Sequence, residues 1–220
     1  QLSGWNVARV TSMKRMFDNA KLFNSQLDKW DVAQVTNMQH MFYIASAFNS
    51  KLSGWNVAQV TTMQHMFDNA KLFNSQLDKW DVAKVTDMYA MFRSTAFNSQ
   101  LSEWDVAQVT TMQQMFRSAT SFNSQLKTWK VGQVTNMNQM FYSATAFNAQ
   151  LDKWQVRQVT DMYIMFYNTY TVQSSTSLAT SLTPSCNKRR IADSWYAQNY
   201  MVFEASFGTG FKTLWAGEMC

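Results

Sequence analysis

Apolar and polar positions alternate along the chain in a pattern that repeats about every 25 residues. The markers are Trp5, Trp30, Trp55, Trp80, Trp104, Trp129 and Trp154. A Leu precedes each Trp by three positions, a Val follows it at two and five positions, and Thr-x-Met-x-x-Met-Phe comes next. A Phe-Asn pair closes each of the first six units. Self-similarity at a fixed period of this length indicates stacked repeats.

Each repeat contains two local patterns. In the second repeat, Trp30 and Val32 alternate with polar residues, which predicts a strand. Met38, Met41, Phe42 and Ala45 follow at i, i+3, i+4 and i+7, which predicts one apolar face of a short helix. A Thr before each such segment fits an N-cap, and Gln39, Gln64 and Gln113 complete capping boxes.

Together these patterns predict an α/β solenoid of the leucine-rich-repeat type, with about seven coils of parallel strands and short helices and a C-terminal helical cap. The predicted domains are the solenoid over 1–168, a Ser/Thr-rich linker over 169–185 and an aromatic cap or interaction segment over 186–220. An Asn column runs through Asn24, Asn49, Asn74, Asn98, Asn123 and Asn148. Its amides are expected to bond the turn backbone of the next coil.

Composition narrows the function classes. Apolar residues make up 46% of the chain and charged residues 15%, so the chain can bury a core. No stretch is apolar for long enough to predict a membrane span. The net charge of +5 is spread along the chain apart from Lys188, Arg189 and Arg190, so no nucleic-acid partner is predicted.

The repeat resembles that of BspA-like leucine-rich-repeat surface proteins. The similarity rests on Trp-x-Val-x-x-Val-Thr-x-Met-x-x-Met-Phe, which is found in mycoplasma surface lipoproteins and in algal and protist surface proteins. It covers residues 1–168. It implies an extracellular or cell-surface protein without catalysis, active in adhesion, recognition or assembly, and it transfers no catalytic residues.

The tail after residue 168 differs in character from the repeats. A Ser/Thr-rich stretch is followed by a predicted helix near 186–206 with many aromatic residues. Both cysteines, Cys186 and Cys220, lie in this tail, which favours a disulfide over two free thiols. The tail is predicted either to cover the last coil or to dock on another subunit.

Candidate chemistry along the repeats is sparse. His40 and His65 share a column but have no Cys or carboxylate column beside them, so no metal site is predicted. The Met pairs are predicted to pack in the core. No cofactor and no catalytic residue is predicted, so the protein is expected not to be an enzyme. The candidate binding face consists of the outward strand positions Lys29, Asp31, Lys79, Asp81, Glu103, Asp105 and Lys130.

Two functions are therefore predicted. The first is a subunit of an extracellular filament or surface appendage that self-associates by end-to-end stacking. Its candidate interface is Gln1, Leu2, Trp5, Trp195, Tyr196, Phe203, Phe207, Phe211 and Trp215, because an uncovered strand edge and core are templates for another chain. The second is a recognition or adhesion module that binds a surface protein or glycan through the strand face.

Overall fold

A computed structural model of the protein describes Leu2, residues 4–169, Ser194, Trp195 and Gln198. Residues 4–169 form a stack of seven repeats in which the backbone hydrogen bonds between repeats join adjacent repeats. Between successive repeats the only β-pairing is one parallel bridge, starting with Ser12–Asn37 and ending with Asn136–Asp161. Ser194, Trp195 and Gln198 are helical.

The predicted α/β solenoid of the leucine-rich-repeat type is wrong, because residues 4–169 contain neither an α-helix nor a β-strand longer than an isolated bridge. The predicted strand is a chain of tight turns. The amide of Trp30 bonds the carbonyl of Leu27 at 3.0 Å, and that of Val35 bonds the carbonyl of Val32 at 2.9 Å. Such i to i+3 bonds bend the backbone back on itself, so it cannot run as an extended strand.

The predicted helix is wrong for a related reason. His40 and Ile44 have φ values of 56° and 57°, and each complete repeat has two such left-handed residues. A right-handed helix requires negative φ throughout. The amide of Phe42 accordingly bonds the carbonyl of Met66 in the next repeat at 2.8 Å rather than that of Met38.

The predicted N-cap is also wrong. The hydroxyl of Thr36 donates to the carbonyl of Thr11 in the preceding repeat at 3.1 Å, and five later Thr residues repeat this contact. The Thr column therefore links repeats and does not begin a helix.

Four peptide groups in each repeat point along the stack in one direction. In the second repeat, the amides of Met38, His40, Phe42 and Ile44 donate to carbonyls of the third repeat at 2.8–3.2 Å. The same four bonds occur at all six junctions between repeats. Every second amide of this segment thus finds its acceptor in the next repeat, whereas a helix would satisfy all of them locally.

The apolar columns form one continuous core. From Leu27 to Phe166, the residues that form the Leu, Trp, Val, Met and Phe columns are at most 4% exposed, which confirms the prediction that the Met pairs belong to the core. Trp55 and Trp80 stack with ring centroids 6.4 Å apart, and the other Trp neighbours in the column have similar spacing. Seven repeats at the spacing of paired strands give a stack about 29 Å high.

The Asn column confirms its predicted role. The side-chain oxygen of Asn24 accepts the backbone amide of Asn49 at 2.9 Å, and the pattern continues without interruption to Asn148. The fourth repeat is one residue shorter than the others, since Trp80 and Trp104 are 24 residues apart, and the missing residue falls in this turn region. The amide of Ala96 still bonds the carbonyl of Lys71 at 3.1 Å, so the deletion leaves the stacking in register.

Candidate recognition surface

Two neighbouring columns differ from repeat to repeat while the core columns keep one residue type. We call these two columns the variable face. The first contains Arg15, His40, His65, Ala90, Gln114, Gln139 and Ile164. The second contains Asp18, Tyr43, Asp68, Arg93, Arg117, Tyr142 and Tyr167. Variation on one face of a constant scaffold is the arrangement by which repeat proteins build a binding surface.

A tight turn brings the two columns together. The amide of Tyr43 bonds the carbonyl of His40 at 3.2 Å, and that of Arg117 bonds the carbonyl of Gln114 at 3.1 Å. The left-handed φ of the first residue in each pair shapes this turn. Side chains three positions apart in sequence therefore meet within a repeat, and stacking brings them against the next repeat.

The most enclosed polar group on this face is the Asp68 carboxylate, which has no exposed surface. His65 Nδ1 lies 2.6 Å from Asp68 Oδ2, and Arg93 from the next repeat contacts both carboxylate oxygens at 2.6 and 2.9 Å. The side-chain amide of Asn69 donates to Oδ1 at 2.8 Å. Burial alone would lower the pKa of Arg93, but the hydrogen bond and charge of Asp68 raise it above its ordinary value.

His40 stacks on His65 with ring centroids 4.5 Å apart. Its Nδ1 is buried and has no hydrogen-bond partner among the described residues. Burial, reinforced by repulsion from His65 and Arg15, lowers the pKa of His40 below its ordinary value. The part of the chain that the structure describes contains no group of three or more His, Cys, Asp or Glu residues arranged to hold a metal ion.

Towards the last repeat the variable face becomes cationic and aromatic. Arg117 donates to Gln139 at 2.6 Å, and its guanidinium lies 4.9 Å from the centroid of the Tyr142 ring. Tyr142 in turn stacks on Tyr167 at 5.0 Å, and Tyr167 is 56% exposed. Arg and Tyr are the residue types that most often supply binding energy at protein interfaces.

The predicted binding face lies elsewhere on the stack. All seven of its residues are exposed, namely Lys29, Asp31, Lys79, Asp81, Glu103, Asp105 and Lys130. Asp31, Asp81 and Asp105 each accept the backbone amide two positions ahead at 3.1 Å. This local bond closes an Asx-type turn, so these carboxylates have a structural role whether or not they bind anything.

The residues predicted for assembly are only partly described. Leu2 is half-buried, Trp5 is 56% exposed, and Trp195 is buried. Gln1, Tyr196, Phe203, Phe207, Phe211 and Trp215 lie outside the described residues. Cys186 and Cys220, the two residues of the predicted disulfide, lie outside them as well.

One polar cleft of about 390 Å³ opens between the first three repeats, lined by Asn24, Gln26, Asp28, Asn49, Ser50 and Lys51. Asn24 Oδ1 already accepts the Asn49 amide and the Ser50 hydroxyl, at 2.9 and 3.2 Å. The Ser50 hydroxyl also donates to Ser25 at 2.8 Å. These polar atoms are therefore already hydrogen-bonded within the protein and stabilise the turns.

Sequence reasoning missed the variable face because each repeat was compared with a consensus. The signal was present in the differences between repeats, which place both His, three of the five Arg and three of the five Tyr of residues 1–169 at these two positions. Which of these side chains pair across repeats depends on the stacking register, and the sequence alone does not provide it.

No helix in the described part of the chain has both the length and the apolar character needed to cross a membrane.

Comparison with known proteins identifies the family of the chain. The chain matches no curated protein and no solved structure. The family model described as "Mycoplasma protein of unknown function, DUF285" matches residues 1–100 and 73–178. Together these matches span most of the chain, which therefore belongs to the DUF285 family.

Proposed function

We propose that this protein is a non-enzymatic recognition module of the cell surface, which binds a protein partner through the variable face. The observation that carries the proposal is the contrast between columns. The core columns repeat one residue type in every unit, whereas the variable face changes from Arg and His to Gln, and from Asp to Arg and Tyr. A scaffold alone has no need of that change, because every repeat makes the same backbone contacts.

The side chains on this face are held in place before any partner arrives. Arg93 is fixed by Asp68, and Arg117 is fixed by Gln139 and the Tyr142 ring. Ordered side chains lose less conformational entropy on binding than free ones. Fixed Arg and Tyr side chains favour a protein partner, since these residues dominate binding energy at protein interfaces.

The surface location is part of the same proposal. The repeat resembles that of BspA-like surface proteins, and the DUF285 match concerns the same repeats. An extracellular setting suits a surface that is polar, lightly charged and arranged along a rigid stack.

End-to-end assembly into a surface filament is the second candidate function. The stacking of each Trp on the Trp of the preceding repeat favours it, as for Trp30 and Trp5 at 6.4 Å, because the same contact between two molecules would join them end to end. On the last repeat, Trp195 covers the ring of Trp154 at a centroid distance of 6.0 Å. A second stack would have to displace Trp195 to add there, so recognition is the better-supported function.

The test compares the binding of labelled protein to intact cells of the source species and of any host. Replacing Arg117, Tyr142 and Tyr167 together by Ala is expected to weaken binding at least tenfold. The matched control replaces Lys29, Lys79 and Lys130 by Ala on the other exposed surface, and it is expected to bind like the wild type. Circular dichroism checks that both variants fold.

Protease treatment of the cells is expected to abolish binding, whereas periodate oxidation of glycans is expected to leave it intact. Equal binding by the two triple variants, or no binding by the wild type, would contradict the proposal. Loss of binding after periodate alone would replace the protein partner with a glycan. Reversible growth of long particles in sedimentation would favour the filament.

A further inference from the structure

Every repeat offers the following repeat a slot for its Trp. The indole N–H of Trp55 donates to the carbonyl of Leu27 in the preceding repeat at 2.9 Å. The same bond to the Leu carbonyl of the preceding repeat is made by Trp80, Trp104, Trp129 and Trp154. The ring also stacks on the preceding Trp and tilts against a Phe, as Trp80 does against Phe67 at 6.3 Å and 33°. The slot is therefore defined by a carbonyl and two aromatic rings.

Trp195 occupies this slot on the last repeat, although its sequence surroundings do not resemble a repeat. Its indole N–H donates to Leu151 at 3.2 Å, and its ring stacks on Trp154 at 6.0 Å and 14°. It tilts against Phe166 at 5.9 Å and 32°. The side chain has no exposed surface.

The neighbours of Trp195 extend this mimicry. The hydroxyl of Ser194 donates to the carbonyl of Asp152 at 2.7 Å, just as the hydroxyl of Thr128, which precedes Trp129, donates to the carbonyl of Ser102 at 2.7 Å. The Gln198 side chain accepts from the amide of Val156 at 2.7 Å and donates to the carbonyl of Trp154 at 3.1 Å. One side-chain amide thus satisfies a donor and an acceptor of the last repeat.

We infer that this face of the last repeat is a docking slot for a Ser-Trp-x-x-Gln segment, and that a second copy of this chain can fill it with its own Ser194, Trp195 and Gln198. The slot takes a segment of this chain, so the same segment from another molecule makes identical contacts. Residues 170–193 connect the segment to the stack, and 24 residues reach at most about 80 Å. That reach exceeds the height of the whole stack, so the connection is long enough to span two molecules.

Mass action decides which copy fills the slot. A segment that is covalently tethered to the molecule carrying its slot has an effective concentration on the order of 1 mM there. Dilute protein is therefore expected to fill its own slot, and exchange between copies becomes significant when they are crowded together. This inference is independent of the variable face and of what that face binds.

The experiment uses the full chain with Trp195→Ala, which leaves the slot without its own Trp. The probe is a labelled synthetic peptide of residues 188–204, and binding is measured by fluorescence anisotropy. The W195A chain is expected to bind this peptide at least tenfold more tightly than the wild type, whose slot is already filled. A peptide that carries the same Trp195→Ala change is expected not to bind.

Two further variants keep the outcome interpretable. Gln198→Ala weakens the docked segment while leaving Trp195 in place, so it is expected to bind the peptide with intermediate affinity. Tyr163→Ala alters an exposed residue of the same repeat and is expected to behave like the wild type. If neither W195A nor Q198A binds the peptide better than the wild type, the slot inference is wrong.

Sedimentation tests exchange between copies. Trace labelled wild type in an excess of W195A chain is expected to form a dimer that is half-populated at a concentration on the order of 1 mM. Labelled W195A in the same excess has no Trp195 to donate and is expected to stay monomeric. Dimers in both mixtures would show that the slot receives whole repeats of another stack, and that result would overturn exchange of the segment.

Discussion

At the residue scale, the Asp68 carboxylate is the group on which the variable face most depends. Asp68→Asn removes the charge that balances Arg93 across a contact of 2.6 Å. Breaking a buried ion pair costs about 3–5 kcal/mol, and the Arg93 side chain is 24% exposed, so we expect a loss of about 2–3 kcal/mol. Chemical denaturation measures this loss in the free energy of unfolding.

Asp18→Asn is the matched control, because Asp18 occupies the same column in the first repeat. Its partner Arg15 is 61% exposed and 3.8 Å away, so the change is expected to cost less than about 0.5 kcal/mol. If the two variants lose the same free energy of unfolding, burial does not make the Asp68–Arg93 pair more stabilising than the exposed pair.

His40 makes the stability of the stack depend on pH. Because burial lowers its pKa in the folded state, the unfolded chain binds more protons as the pH falls below about 6.5. The contribution of neutral His40 to stability is therefore fully present above that pH and is lost as the pH falls through the lower pKa of the folded state. Thermal melting from pH 7.5 to 5 is expected to show a smaller decrease in Tm for His40→Gln than for the wild type.

Gln is the appropriate replacement because Gln114 and Gln139 occupy the same column in later repeats. If Tm decreases by the same amount in both proteins across this pH range, His40 has no role in the pH dependence. Titrating groups remote from His40 affect both proteins alike, so the difference between the curves reports on His40 and its interaction with His65.

At the element scale, the left-handed residues explain why the helix prediction failed. The apolar spacing of Met38, Met41, Phe42 and Ala45 is the same for a helix as for a turn that repeats at 40 and 44. Periodicity records which side chains face the core, and that part of the prediction was right. It does not record whether the backbone bonds within its own segment or with the next repeat.

Glycine tests these backbone conformations directly. Ser118 has a φ of 57°, a value that costs most residues about 1 kcal/mol but costs glycine nothing. Ser118→Gly is therefore expected to raise the free energy of unfolding by between zero and about 1 kcal/mol, measured by urea denaturation. The gain from relieving the positive φ is partly offset by the loss of the serine side chain and by the added flexibility of the unfolded chain.

Thr120→Gly provides the comparison two positions later, where φ is not positive. There glycine only adds flexibility to the unfolded chain, and a loss of about 0.5–1 kcal/mol is expected. If the Ser118 variant loses as much as the Thr120 variant, the left-handed conformation at 118 is not what favours glycine.

Some elements could be predicted because one residue type determines them. The Asn column was predicted correctly, since a stacked amide beside free turn backbone has few other uses. The pairing of Asp68 with His65 and Arg93 could not be predicted, because it depends on which positions of adjacent repeats come into contact. The sequence predicted that the tail either covers the last coil or docks on another subunit. It did not predict that Trp195 takes the position of a repeat Trp, since its surroundings in sequence contain no repeat.

At the scale of the whole molecule, the stack should tolerate the loss of a complete repeat. Deleting residues 126–150 joins Gln125 to Leu151 and restores the same sequence junction, because Gln150 precedes Leu151 in the wild type. Since repeats contact mainly their neighbours, we expect a folded protein with a lower Tm. The urea m value should fall by roughly one seventh, in proportion to the buried surface.

The control deletion removes residues 126–137 only, which breaks the register of every column. That chain is expected to lose cooperative unfolding and its near-ultraviolet circular dichroism. Retention of both signals would mean that the repeats do not depend on their register, contrary to the ladders of bonds between them.

The aligned peptide groups have a consequence for the molecule as an electrical object. Four amides per repeat donate toward the last repeat, and about two per repeat, such as those of Thr36 and Ala47, donate toward the first. With about 3.5 D per peptide, the two uncompensated groups in each of seven repeats give the stack a dipole of roughly 50 D. Its negative pole lies at the first repeat, beside Lys14 and Arg15, and its positive pole lies at the last repeat, beside Asp161. Two such molecules lying side by side repel when parallel and attract when antiparallel, so any lateral array of them should alternate in direction.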